Sequence, residues 1–144
     1  MAFLTQNTAI QQLLPGGDRV GLLGATQTIF MGALLMRNAA GHLIRGAVAT
    51  GSFGVGRAEE PGASTTLGVT LQKFREGTFL YANSAAADLI TVADIGLACF
   101  IIDDDQVART NGTNTRSPAT AVVAVEAAGV WVRFDESLTR ALLS

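Results

Sequence analysis

A period of two near the C-terminal end constrains this chain more than any other feature. Val130, Val132 and Phe134 alternate with Trp131 and Arg133, the pattern of a strand with one face in a core and one outside it. A second β-rich run, residues 119–125, precedes it across Glu126-Ala127-Ala128-Gly129. Further upstream the apolar run 97–102 favours a pleated surface and stops at Asp103, Asp104 and Asp105. Between them lies a polar loop, residues 109–118, too hydrophilic to be buried. Residues 97–134 therefore predict a strand, a wide loop and a closing hairpin. No side chain in that stretch is placed for chemistry.

Similar signals recur before it. Residues 28–37 and 42–49 flank Asn38-Ala39-Ala40-Gly41, which suits a type I turn with Gly41 in the left-handed bulge position. The common x-Ala-Ala-Gly string predicts one turn chemistry for both hairpins. Residues 51–59 predict a strand entering a loop, 60–66, that carries Pro61 and Gly62. Over 67–74, Leu67, Val69, Leu71 and Lys73 alternate with Gly68, Thr70, Gln72 and Phe74, and Arg75-Glu76-Gly77 turns the chain into the run 78–82. One internal helical region is expected over 83–95, with Ser84 as a cap and Thr91 and Asp94 at capping-box spacing. Residues 135–143 predict a short helix that buries Leu138, Ala141 and Leu142.

Many short strands with closely spaced turns predict a mainly β fold, a small β-barrel or β-sandwich with short helices. At 144 residues the chain suits one domain burying about two-thirds of its unfolded surface. We divide it into an N-terminal arm, residues 1–18, and a single β-rich domain, 19–144. In the arm Ala9, Ile10, Leu13 and Leu14 share one face of a short helix that Pro15-Gly16-Gly17 ends. One or two turns are unstable alone in water. With Phe3 and Leu4, that face must dock on the chain's own core or on a neighbouring subunit.

Charge narrows the functional classes. The net charge is −2, without the basic footprint of a phosphate-binding protein, so no nucleic-acid partner is expected. Charged residues make up 15% of the chain, below the usual quarter or so, and Lys73 is the one lysine among ten basic residues. Arginine tolerates interfaces, so this composition suits a surface packed against other protein; a GC-rich coding sequence raises the same residues. Residues 20–36 carry no charge but hold Thr26, Gln27, Thr28 and three glycines, short of the ~20 apolar residues of a membrane span. No membrane partner and no secretory signal are expected.

The search for catalytic constellations returns none, and an enzyme is not expected. Gly54-Val55-Gly56 begins like a dinucleotide fingerprint, but Glu59 stands where its last glycine belongs and a loop follows. His42 is the only histidine, and on a hairpin strand it reads as a surface or half-buried residue. Asp103, Asp104 and Asp105 lack the glycine and distal glutamate of a calcium loop and read as a solvated turn. Glu59 and Glu60 face no other carboxylate. Asn111-Gly112-Thr113 reads as a turn, and Cys99 as a small buried hydrophobe. Trp131 is either a ligand platform or, preferably, a core or subunit contact. No cofactor or metal is expected.

Several strings recur in a known order: Gly32-Ala33-Leu34, Asn38-Ala39-Ala40-Gly41, Val55-Gly56-Arg57-Ala58-Glu59-Glu60 and Gly77-Thr78-Phe79-Leu80-Tyr81-Ala82-Asn83-Ser84. Asp94-Ile95-Gly96, Cys99 through Asp104, Thr113-Asn114-Thr115-Arg116-Ser117 and Gly129-Val130-Trp131-Val132 continue it. As a series over residues 20–134 they resemble the capsid cement, or head decoration, proteins of tailed phages and prophages. Ala119-Thr120 departs from the Ala-Gly expected there. The resemblance implies a structural virion protein on the outside of the assembled head, made in the host cytoplasm. Its implied partners are the major capsid protein and further copies of itself, as a dimer or trimer. Phe3, Leu4, Ile10, Leu13 and Leu14 would then lie along a neighbour, and Arg109 and Arg116 would meet capsid carboxylates. The alternative is a free-standing β module that binds a small ligand or glycan.

Overall fold

The computed structural model describes Gln6 and residues 18–142, and within them the chain is mainly β. Its strands are β1 (Asp18–Leu22), β2 (Gln27–Ile29), β3 (Leu34–Arg37), β4 (Leu43–Arg45), β5 (Phe53–Ala58) and β6 (Gly62–Ser64). There follow β7 (Leu71–Arg75), β8 (Gly77–Tyr81), β9 (Ala98–Ile101), β10 (Val107–Ala108), β11 (Pro118–Glu126) and β12 (Gly129–Phe134). One helix, α1 (Glu136–Leu142), ends the described chain.

All strand pairings are antiparallel. The first sheet runs β1-β7-β5-β3-β4 and the second β10-β9-β11-β12-β8, while β2 and β6 pair alone. One parallel bridge, Leu23 to Leu43, brings the two ends of the first sheet together. Among the described residues no continuous ladder closes there, and they form no closed barrel.

Two cores follow from the period-two pattern. Leu34 and Met36 of the first sheet meet Tyr81, Cys99, Ile101, Val122, Val130, Val132 and Phe134 of the second. On the other face of the first sheet Leu35, Phe53, Val55, Ala58 and Phe74 pack with Leu23, Ile29 and Leu43. Each such fully buried large side chain stabilises the fold by about 1.5–3 kcal/mol. Tyr81 packs edge-on to Phe134, 5.9 Å between centroids, and its O–H donates to the Gly32 carbonyl at 3.0 Å.

The two x-Ala-Ala-Gly strings make different turns, against the expectation of one shared chemistry. Asn38 stays outside the strands: its backbone N–H donates to the His42 carbonyl, and Gly41 N–H donates to its carbonyl. The Asn38 side-chain oxygen accepts from the N–H groups of Ala40 and His42, and Gly41 takes φ +89°. Glu126 instead pairs directly with Gly129, leaving only Ala127 and Ala128 in the turn. A glutamate side chain is too long to close the local ring that asparagine closes.

Other expectations need correction. The strand expected from residue 67 begins at Leu71, because residues 67–70 turn across Leu23, whose N–H donates to Thr70 O and whose carbonyl accepts from Gly68 N–H. The loop over 60–66 contains β6. The uncharged stretch 20–36 folds as strands, and among the described residues no helix is long and apolar enough to cross a membrane. Residues 83–95 hold two one-turn 3-10 helices, Ala86–Asp88 and Val92–Asp94, rather than an α-helix. Ser84 does not cap the first; its hydroxyl donates to Val107 O, while the Asn83 side-chain oxygen holds the N–H groups of Ser84 and Ile90. Asp94 does accept the Thr91 N–H at 2.8 Å, the reciprocal half of a capping box.

Helix α1 forms where expected but docks through polar groups. Leu138 is 41% exposed and Thr139 is buried; Ala141 is exposed. The Thr139 hydroxyl hydrogen-bonds that of Thr120, giving the departure at Ala119-Thr120 a structural role. Glu136 pairs with Arg19 and Arg37, and Arg140 lies over the Phe53 ring at 5.4 Å.

Candidate functional site

Arg109 and Arg116 both reach the 3-10 turn that ends at Asp88. The Arg116 guanidinium donates to Asp88 Oδ1 at 3.0 Å and to the Thr110 carbonyl at 3.1 Å. Arg109 is exposed; its side chain donates weakly to Ala87 O, at 3.3 Å, and its backbone N–H to Asp88 O. Hydrogen bonds from Thr110 and then Arg116 hold the Asp88 carboxyl below its ordinary pKa. Arg116 is thus committed within the chain, whereas among the described residues the exposed Arg109 guanidinium makes only that weak contact. Phe3, Leu4, Ile10, Leu13 and Leu14 lie outside the described residues. The arm's last residue, Asp18, belongs to β1 and pairs with Arg75 at 2.7 Å.

The remaining polar candidates do not converge. The carboxylate oxygens of Asp103, Asp104 and Asp105 lie within 4.8 Å of one another on an exposed turn that sends the Asp104 carbonyl to Leu34 N–H and the Asp105 carbonyl to Ala82 N–H. Desolvation raises the Asp104 pKa, opposed by Arg45. This arrangement can attract a hard cation, but it supplies only one acidic turn. His42 is half-buried, and among the described residues its Nδ1 atom has no hydrogen-bond partner. Burial pushes the Cys99 thiol up to about 12, which removes nucleophilic character at neutral pH. Glu59 is bound by Arg57 at 2.8 Å. Of the residues lining three open clefts, only Phe100 is aromatic.

Two outward faces are more distinctive. Val20, Leu22 and Leu71 stand exposed on the outer side of the β1–β7 pair, with Leu67 and Val69 beside them. Gln72 and Phe74, the alternate positions of β7, are buried. On the second sheet Trp131 opposes Ala124 of β11 and Leu80 of β8, all three on the side away from the core. Val123, displaced by a bulge in β11, is 45% exposed next to them. The alternation of Trp131 with Val130 and Val132 was legible; that Trp131 takes the outward side, so that a core contact is ruled out, comes from the structure. The same holds for the first face: the alternation over 67–74 gave the period and left open which set would be buried.

Comparison of the sequence and structure with protein-family models, curated proteins and solved structures gives no match.

Proposed function

We propose that this chain is a capsid cement protein. It binds the outside of an assembled tailed-phage head at contacts between major capsid protein subunits and is not an enzyme. The observation that carries this reading is the ordered series of strings from Gly32-Ala33-Leu34 to Gly129-Val130-Trp131-Val132. Two features support it. A sheet scaffold presents exposed apolar side chains in contiguous groups, as interaction surfaces do, and all but one of the chain's ten basic residues are arginine, the cation that interfaces favour. The reading places the chain on the virion exterior, with a cytoplasmic stage before assembly and self-association on the shell.

Physically, a protein that binds only the mature lattice shifts the equilibrium toward that lattice. Many modest, symmetry-repeated contacts then resist rupture together. In this scheme the N-terminal arm, with Phe3, Leu4, Ile10, Leu13 and Leu14, lies along a neighbour, and Arg109 supplies a rim hydrogen bond. Arg116 acts indirectly, by holding the loop on Asp88. The glycan-binding alternative draws little support from clefts with one aromatic wall, since sugar recognition leans on aromatic platforms.

Cosedimentation of the purified chain with expanded and unexpanded heads lacking it tests the proposal. The expected result is saturable binding at a fixed ratio to the major capsid protein, confined to expanded heads. Absence of binding to either form would overturn it.

A further inference from the structure

We infer that the outer face of the second sheet is a two-fold interface between copies of this chain, centred on Trp131. This sharpens the self-association part of the proposed reading and stands without the shell. The Trp131–Ala124–Leu80 row runs across three strands. Along β11 and β12 the outward positions on either side of that row carry opposite charges. Glu126 stands exposed at the hairpin end and Arg133 exposed at the other. Among the described residues no cation pairs with Glu126, and Arg133 has only a 3.8 Å contact to Asp135.

That arrangement is self-complementary. A two-fold axis lying in the interface, perpendicular to the strands and crossing Trp131 and Ala124, reverses the strand direction of the second copy. Arg133 of each copy then falls opposite Glu126 of the other, offset by one strand spacing of about 4.8 Å, within reach of both side chains. The apolar row meets its own image between the two charge pairs. An axis parallel to the strands would set Arg133 against Arg133, so charge selects the first orientation. The resulting interface is isologous and every contact occurs twice. The outward faces of the β1–β7 pair lack this pattern: a two-fold axis through Val20 sets Asp18 against Leu22.

The test uses the full chain in sedimentation velocity from micromolar to millimolar concentration. A reversible monomer–dimer equilibrium is expected. Trp131 is the only tryptophan, so its emission should shift to the red on dilution as the interface parts. Glu126→Arg and Arg133→Glu, both at exposed positions, should each weaken the dimer at least ten-fold, and the double reversal should restore it. Monomer at every concentration would overturn the inference, as would a dimer indifferent to both single reversals. It would also fall if Glu126→Arg left a monomeric chain monomeric but lost binding to heads, since the face would then belong to another protein.

Discussion

The Asn38 and Glu126 hairpins begin from nearly the same four residues and are held by different parts of the molecule. Around Asn38 the work is done by side chains. Its amide oxygen holds two N–H groups, and Arg37 reaches both the Gly41 carbonyl at 2.8 Å and Glu136 of α1. Among the described residues nothing lies within 4 Å of the place a Cβ would occupy on Gly41. Around Glu126 the constraint is backbone packing. A Cβ on Gly129 would sit 2.4 Å from the Tyr81 carbonyl oxygen, so that glycine serves the close approach of β12 to β8. A shared turn string is therefore a local statement, and its glycine acquires its role from the neighbouring strand.

The sharpest way to break this comparison is to place alanine at both glycines. Gly129→Ala should cost about 3 kcal/mol, from overpacking together with backbone strain at φ +151°. Gly41→Ala should cost about 1 kcal/mol, from its left-handed backbone alone. Urea unfolding of the two variants decides, and equal losses would refute the distinction. Next in size, Glu136→Gln should cost about 2 kcal/mol by removing the negative charge shared by Arg19 and Arg37 and one of the two oxygens that accept from them. These side chains are partly exposed, so molar salt should shrink that loss and leave the Gly129 loss unchanged.

Alkaline titration probes the second hairpin's core. Burial raises both the Tyr81 phenol and the Cys99 thiol, so the unfolded chain ionises first as pH increases. Stability is fully present below pH 9, the ordinary thiol range, and falls as pH rises toward the folded Cys99 value of about 12. The Cys99 contribution to that decline approaches a limit of about 1.4 kcal/mol per pH unit. Unfolding curves between pH 8 and pH 10 should show this, and Cys99→Ala should flatten them. Smaller again is Asn38→Ala, about 1 kcal/mol from the lost side-chain bonds. Glu126→Ala should leave monomer stability within about 0.5 kcal/mol, separating a turn-forming residue from one that merely borders a turn.

Where burial alone ranks the residues, the chain was readable in advance. The strands around Val55, Cys99 and Val132, the arrest at the three aspartates and the closing helix all follow from local pattern. Other features depended on competing partners. Leu71 has the side chain of a core residue but lies outside, because Gln72 Nε2 donates to the carbonyls of Glu60 and Lys73 and Phe74 fills the adjacent core position. Leu138 likewise yields to Thr139, whose partner Thr120 is distant in sequence. Arg116 looked available because its loop is polar; Asp88, twenty-eight residues away, takes it up.

The sequence by itself determined a mainly β chain, two hairpins, a terminal helix and the alternation of Trp131 with Val130 and Val132. These are period-two and turn-chemistry effects that act over a few residues. Tertiary structure decided which hairpin needed its glycine for a turn and which for a neighbour. It also decided that Arg116 was tied to Asp88 and how the two charges bracketing Trp131 came to share one face. Those outcomes depend on hydrogen-bond donors, acceptors and free volume brought together from distant parts of the chain, and no local window contains them.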